Sequence, residues 1–328
     1  MRTPILVGER DVVDVVRPVH PVASVYTRPS RDVPWGTRLS DLVDRLHENG
    51  ADEATIDDAV SALRYEPATA VAVFADGGNV PAMYATPGRT GQDLVRVGAA
   101  HVLPLLEWSQ DMPSCVLVVE ERATVWVTVS PGRLVATVVE PVRCAAETAV
   151  AACGVALGRS CARLVAVRGS DRLVERLRDA FGPDVTVRPV RTPTAARLTG
   201  LARTTAALWT AGKLADLAER SNLPGHTVQG VDETLDALAR GTVQDLLVTT
   251  GSSAGPSAWF GTNARQVRPF DDSVPPAWVR RRGAAADVAV RAALLSGASV
   301  RVLRPGLPGS PEGGLGGLCR FPLSVVRS

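Results

Sequence analysis

The chain has 328 residues, room for two or three domains of ordinary size. With 45% hydrophobic and 21% charged residues it has the composition of a globular protein, which excludes a disordered one and leaves the core to alanine, valine and leucine. A net charge of +2 excludes a bulk electrostatic case for nucleic acid, and the positive charge is arginine throughout except for Lys213.

The first residues, MRTPILVGERDVVDVV, lack the basic-then-apolar order of a signal peptide, and no apolar run approaches the ~20 residues of a membrane span. A cytoplasmic protein with no membrane partner is expected. Residues 21–27 (PVASVYT) alternate as a short strand. Residues 37–63 are predicted helical, with Leu39, Leu42, Val43 and Leu46 before a break at Asn49-Gly50 and Ile56, Ala59, Val60 and Leu63 after it. Two strands, 70–74 and 80–84, flank the turn at 76–79, and the loop TPGRTGQD leads into HVLPLLEW. A second unit opens near Asp111 with strands over 115–120, 123–129 and 134–139 and an Ala-rich helix over 143–157. A strand at 162–167, a helix at 171–181 and a strand at 185–190 complete it. A helix over 193–220 is spaced by Leu198, Leu201, Leu208, Leu214 and Leu217, and 222–229 reads as a linker. The last unit ends with a helix around 284–296, a strand at 299–303, a Gly/Pro loop to Gly317 and a closing strand. Cys115, Cys144, Cys153, Cys161 and Cys319 are odd in number and lack C-x-x-C spacing, which argues against a zinc site or a disulfide framework. Cys115, heading the run CVLVV, is read as a small buried hydrophobe. The alternation of strands and helices predicts three α/β domains and no solenoid repeat.

The most informative stretch is 230–248, GVDETLDALARGTVQDLLV. Val231, Leu235, Leu238 and Ala239 make one helical face, Asp232 and Glu233 suit a helix N-terminus, and Gly241 supplies a left-handed stop. The run 246–248 then reads as a buried strand. This wording resembles the opening of the C-terminal domain of the archaeal and eukaryotic class-1 release factors and Pelota. AWFGTNARQV (258–267), DVAVRAALLSGASVRVL (287–303) and GGLGGLCRF (313–321) are similar to the segments that follow in that family. Upstream, PVASVYT, HVLPLLEW and CVLVVEERATVWV resemble the bacterial branch of the superfamily, which includes mycobacterial members and a ribosome hibernation factor. The resemblance covers most of the chain and is strongest over 226–303.

What the resemblance implies is an N-terminal α/β domain (1–110) and a central, shortened ribonuclease-H-like domain (111–191). A helical linker (192–225) and an L7Ae-like α-β-α sandwich (226–328) follow. It further implies a place at the ribosomal A site, against rRNA, with an elongation-factor GTPase as partner in some members. Release factors that hydrolyse peptidyl-tRNA carry Gly-Gly-Gln in the central domain. This chain has no such tripeptide, and Gly91-Gln92 lacks the paired glycine and precedes the central unit. The basic, tryptophan-containing loop of the bacterial relatives is also missing or shortened after Val139.

Other constellations read blandly. Gly251 to Gly255 matches G-x-S-x-G, but Pro256 and the strand-like SAWFG follow where a nucleophile elbow needs a helix, which suits a hairpin loop. His20, His47, His101 and His226 are scattered and read as loop or packing residues. Ala211-Gly212-Lys213 and Gly314-Leu315-Gly316 lack the glycines of a phosphate loop and a dinucleotide turn. The densest basic cluster is Arg280, Arg281 and Arg282, with Arg265 and Arg268 upstream. Three consecutive arginines cannot all face a core. They make either a solvated helix entry balanced by Asp271, Asp272 and Asp287, or a contact for rRNA or an acidic protein surface. Arg89, in the 86–93 loop, is a further candidate RNA contact. The expected function is therefore non-catalytic: a ribosome-associated, release-factor-like protein acting by occupancy in hibernation or stress-time control of translation. It would use no catalytic residue, metal, cofactor or small-molecule substrate. A peptidyl-tRNA hydrolase or rescue factor using another glutamine, and an interaction module that has left the ribosome, are the alternatives.

Overall fold

The computed structural model describes residues 9–323, apart from residues 19, 79–81, 87–92, 112, 122–123, 131–141, 144–145, 161, 184, 251–254 and 270–280. The third central strand expected at 134–139 and the G-x-S-x-G serines lie outside the described residues. The chain forms a mixed α/β structure that divides into two compact units, one of residues 1–108 with 214–328, the other of residues 109–213.

In the first unit, helix α1 (Glu9–Val16) precedes strand β1 (Val22–Thr27), helices α2 (Trp35–Glu48) and α3 (Glu53–Ala62), and strands β2 (Val71–Ala75), β3 (Ala82–Ala85) and β4 (Leu94–Gly98). The strands form an antiparallel sheet in the order β3-β2-β1-β4. The expected break at Asn49-Gly50 separates α2 from α3, with Gly50 at φ 82° and the Asp52 carboxylate accepting from the Thr55 amide at 2.8 Å to cap α3. Leu42, Leu46, Ile56, Ala59 and Leu63 bury one face of the sheet and a larger core that includes Val22 and Tyr26 covers the other, so β1 is buried at every position.

The second unit opens after helix α4 (Leu103–Asp111), which straddles the boundary. Strands β5 (Cys115–Glu121) and β6 (Thr124–Ser130), the two-residue β7 (Val142–Arg143), helix α5 (Ala146–Ser160), strand β8 (Leu164–Arg168), helix α6 (Asp171–Phe181) and strand β9 (Thr186–Pro189) follow. The sheet order is β7-β6-β5-β8-β9, with β5-β8 and β8-β9 parallel as their helical crossovers require. Helices α5 and α6 cover one face through Ala149, Cys153, Leu173 and Leu177.

Helix α7 (Ala195–Arg220) serves both cores in turn. Leu198 and Ala202 pack with Cys115, Leu164 and Ala166, while Leu214 and Leu217 pack with Leu247, Leu303 and Leu318. Leu208, midway along the helix, is 64% exposed.

Back in the first unit, strand β10 (Thr227–Gln229) lies in what reads as a linker. Helix α8 (Val231–Arg240), strands β11 (Val243–Thr249), β12 (Ser257–Phe260), β13 (Val267–Arg268) and β14 (Arg281–Ala284), helix α9 (Ala285–Leu295), strand β15 (Ser299–Leu303) and strand β16 (Leu315–Cys319) complete the chain. Gly241 ends α8 in the left-handed conformation, φ 71° and ψ 23°, as its position in the sequence demands. Thr234 and Ala237 are buried beside Leu235 and Leu238, so the packed face is rotated from the predicted one and Ala239 is half-buried. The four-stranded sheet runs β10-β16-β11-β15, with Leu246, Val248, Val300 and Val302 facing α8 and α9, and Leu247, Leu303 and Leu318 facing α7. The closing strand includes Gly316 and Gly317, assigned to the loop by composition. A Cβ on Gly316 would meet Pro311 Cβ at 2.7 Å, so glycine lets this central strand pass under the loop. Strands β11 and β12 belong to different sheets, so no hairpin joins them, contrary to the sequence reading.

Candidate nucleic-acid interface

Three short antiparallel strands, in the order β13-β12-β14, carry three of the arginines singled out by the sequence, Arg268, Arg281 and Arg282. Alternation along Ser257–Phe260 turns Ala258 and Phe260 into the core and leaves Ser257 and Trp259 half-buried on the other face. The register sets Arg268 and Arg282 opposite Trp259, one on each side, and Val267 and Arg281 opposite Phe260. Directly opposed residues share a face, so the outer face of this sheet reads Arg268–Trp259–Arg282. Arg282 is exposed; Arg268 is half-buried, with Nη1 donating to the Val267 carbonyl at 2.8 Å.

Arg265 has a different post. Its guanidinium lies over Gly241, where a Cβ would come within 3.3 Å of Nε, and so meets the negative end of α8. Arg281 and Arg282 stand in a strand that runs directly into α9 at Ala285. Arg281 turns to the Phe260 face, where its Nη1 is enclosed with no hydrogen-bond partner among the described residues and burial lowers its pKa. Arg280 and Arg89 lie outside the described residues.

Asp287 does not balance the arginine run. Its Oδ1 is 2.7 Å from His101 Nδ1, and its Oδ2 accepts from Arg96 Nη1 at 3.2 Å. The His101 amide donates to Ser24 Oγ at 2.9 Å, and the Tyr26 hydroxyl donates to the His101 carbonyl. Burial pushes the Tyr26 phenol well above its usual pKa, aided by the Asp287 charge and opposed by Arg96. His101 is thus a packing residue, as its isolation in the sequence suggested, yet it sits in a buried polar network. This brace ties β4 to α9. Strand β4 also touches β14 backbone to backbone: Gly98, at φ 139°, has no room for a Cβ, which would lie 2.9 Å from the Arg282 carbonyl.

Charge is divided unevenly between the units. Residues 109–213 hold 14 Arg and Lys against 9 Asp and Glu, a net of +5, and the remainder of the chain carries −3. Trp209 of α7 has the Arg163 guanidinium 4.4 Å and the Lys213 ammonium 5.5 Å from its ring centre, cation–π distances both. The sequence reading passed over this cluster because Arg163 lies far from the helix in the chain. Trp259 was missed as well, although the alternation of SAWF already placed it off the buried face.

The remaining motifs resolve simply. Ala211-Gly212-Lys213 lies inside α7, and Leu315-Gly316 opens a strand, so neither cradles a phosphate in the manner of a glycine loop. Burial pushes the Cys115 and Cys153 thiols up to about 11 and about 12. Among the described residues no group of His, Cys, Asp and Glu could hold a metal ion, and no helix is long and apolar enough to cross a membrane.

No family model matches the sequence, and no curated protein matches it. Among solved structures the chain is similar to an archaeal translation termination factor, aRF1, at 15% identity over 98% of this chain and 100% of that one, with a TM-score of 0.27. It is also similar to S. cerevisiae Dom34, a translation termination-like factor, at 9% identity over 98% and 93% of the two chains, with a TM-score of 0.39. Archaeal Pelota from a ribosome-bound complex with ABCE1 stands at 12% identity over 98% and 96%, again with a TM-score of 0.39.

Proposed function

We propose that the chain is a non-catalytic, release-factor-like protein that acts by occupying the ribosome. The observation that carries the reading is the Arg268–Trp259–Arg282 row on the outer face of its small sheet. Two cationic forks beside an aromatic ring suit a phosphate backbone with an unstacked base, the chemistry of RNA rather than of a small substrate. The +5 charge of residues 109–213 and the Arg163–Trp209–Lys213 cluster add a second basic surface of the same kind.

In this reading the sequence resemblance supplies the finer assignments. The chain belongs with the bacterial branch, its domains at 1–110, 111–191 and 226–328 joined by a helical linker at 192–225. The central domain is ribonuclease-H-like, the C-terminal one L7Ae-like, and an elongation-factor GTPase is the protein partner. Lacking Gly-Gly-Gln, it occupies the A site in hibernation or under stress without releasing peptide.

Sucrose-gradient sedimentation of tagged protein from growing and starved cells tests it. Wild type is expected to move with ribosomes, and the Arg268→Glu/Arg282→Glu double variant to stay at the top of the gradient while remaining folded. Equal co-migration of both proteins removes the sheet face from the contact. Migration of wild type at the top in both growth states overturns the ribosomal role itself.

A further inference from the structure

The first unit buries one arginine, Arg291, and half-buries another, Arg281, that the RNA face does not use. Arg291 is 1% exposed, and its Nε, Nη1 and Nη2 have no hydrogen-bond partner among the described residues. Its guanidinium lies 5.2 Å from the centre of the Phe260 ring. In the strand register Arg281 stands opposite that same Phe260, and its Nη1 is also enclosed, with no hydrogen-bond partner among the described residues.

A buried charge is sustained by an opposite charge with hydrogen bonds, and this one has neither among the described residues. Asp287, four residues before Arg291 on α9, has the spacing of an ion pair but is taken by His101 and Arg96. The other buried carboxylate among the described residues, Asp245, accepts from Ser299 Oγ at 2.5 Å. Phe260 offers a ring face, which attracts a cation but accepts none of its N–H groups in the plane of the fork. Arg281 makes matters worse, since after burial its charge is the second cause that lowers the Arg291 pKa, to about 10.

We propose that Arg291 and Arg281 bind a phosphate-sized oxyanion that sits between them as part of the folded first unit. Four unpartnered nitrogens on two planar forks match the several acceptor oxygens of a tetrahedral anion, and guanidinium pairs bind such groups bidentately. The depth of Arg291 selects a free anion over a phosphate within RNA, whose sugar chain needs an open approach. The site is independent of the ribosomal reading and is tested without ribosomes.

Thermal unfolding of the full chain is followed while inorganic phosphate is titrated against chloride at matched ionic strength. Wild type should show a saturable rise in Tm. Arg281→Gln should weaken the apparent phosphate affinity about tenfold to a hundredfold, the loss of one charge-assisted contact, and Arg291→Met should abolish the response. Arg64→Gln, an exposed arginine elsewhere in the unit, should respond like wild type. If Arg291→Met does not fold, Arg281→Gln carries the test alone. No saturable shift in wild type, or an unchanged shift in both variants, overturns the site. A short single-stranded RNA should give no Arg291-dependent shift; such a shift from RNA without one from phosphate overturns the free-anion assignment.

Discussion

Replacing Asp287 by alanine is the sharpest test of how the first unit holds together. Its carboxylate is 2% exposed and takes both His101 Nδ1 and Arg96 Nη1, whose own side chains are 9% and 23% exposed. Removing it strands a largely covered guanidinium and a buried imidazole, the situation in which loss of one partner costs about 3–5 kcal/mol. For a unit of this size that corresponds to a fall in Tm of about 6–20 °C. Circular dichroism measures the fall, and hydrogen exchange by mass spectrometry locates it, with amides of β4 and α9 losing protection first. The Arg96→Met/Asp287→Ala double variant should cost less than the sum of the singles, because the charge left behind is removed as well. A single-variant cost below about 1 kcal/mol, with additive singles, would refute the brace.

Three further outcomes are expected. The Cys115 and Cys153 thiols titrate near 9 in the unfolded chain but at about 11 and about 12 when folded. The stability that comes from keeping them neutral is full below pH 9. It declines above that at about 1.4 kcal/mol per pH unit for each group until the folded pKa is passed, so urea midpoints of the isolated 109–213 transition should fall from pH 9 upward, and less so in Cys115→Ala/Cys153→Ala. Gly212 lies inside α7 with nothing near the place of a Cβ, so Gly212→Ala should raise stability by about 0.5–1 kcal/mol in chemical denaturation. Gly283→Ala should instead cost about 1–3 kcal/mol, because its Cβ would meet the Ala99 amide nitrogen at 3.0 Å and Ala99 Cβ at 3.3 Å.

Local chemistry made much of the fold readable. The break between α2 and α3, the span of α6, the glycine stop of α8 and the strand at Ser299–Leu303 follow from apolar spacing and turn residues alone. What escaped reading depends on partners distant in the chain. The segment Leu94–Gly98 is too short and too mixed to announce itself, and becomes a strand because Val22–Tyr26 pairs with it. Arg281 and Arg282 carry no strand signal, yet they complete a sheet with Trp259 and Phe260. In α7 the leucine pattern is real, but Leu208 within it is exposed, which periodicity alone does not report. Of the candidate site, Arg268 and Arg282 were found from charge density, whereas Trp259 between them required the register. The burial of Arg291 could not be foreseen, since Asp287 stands at the spacing that should have satisfied it and is spent 186 residues away on His101.

The contact of Gly98 and Ala99 with Arg282 and Gly283 has a consequence for the chain as it is made. A polypeptide emerging from its N-terminus carries β1 to β4 long before the segment that covers their second face. The core that Phe74, Tyr26 and Tyr84 share with α8, α9 and β11 stays incomplete until the last hundred or so residues arrive, while 109–213, a compact unit, folds in the interval. Premature termination after α7 would therefore leave a finished domain tethered to a half-built one with an apolar sheet face exposed. Such a product is a natural target for chaperones and proteases, and full-length synthesis becomes a condition for the first hundred residues to persist at all.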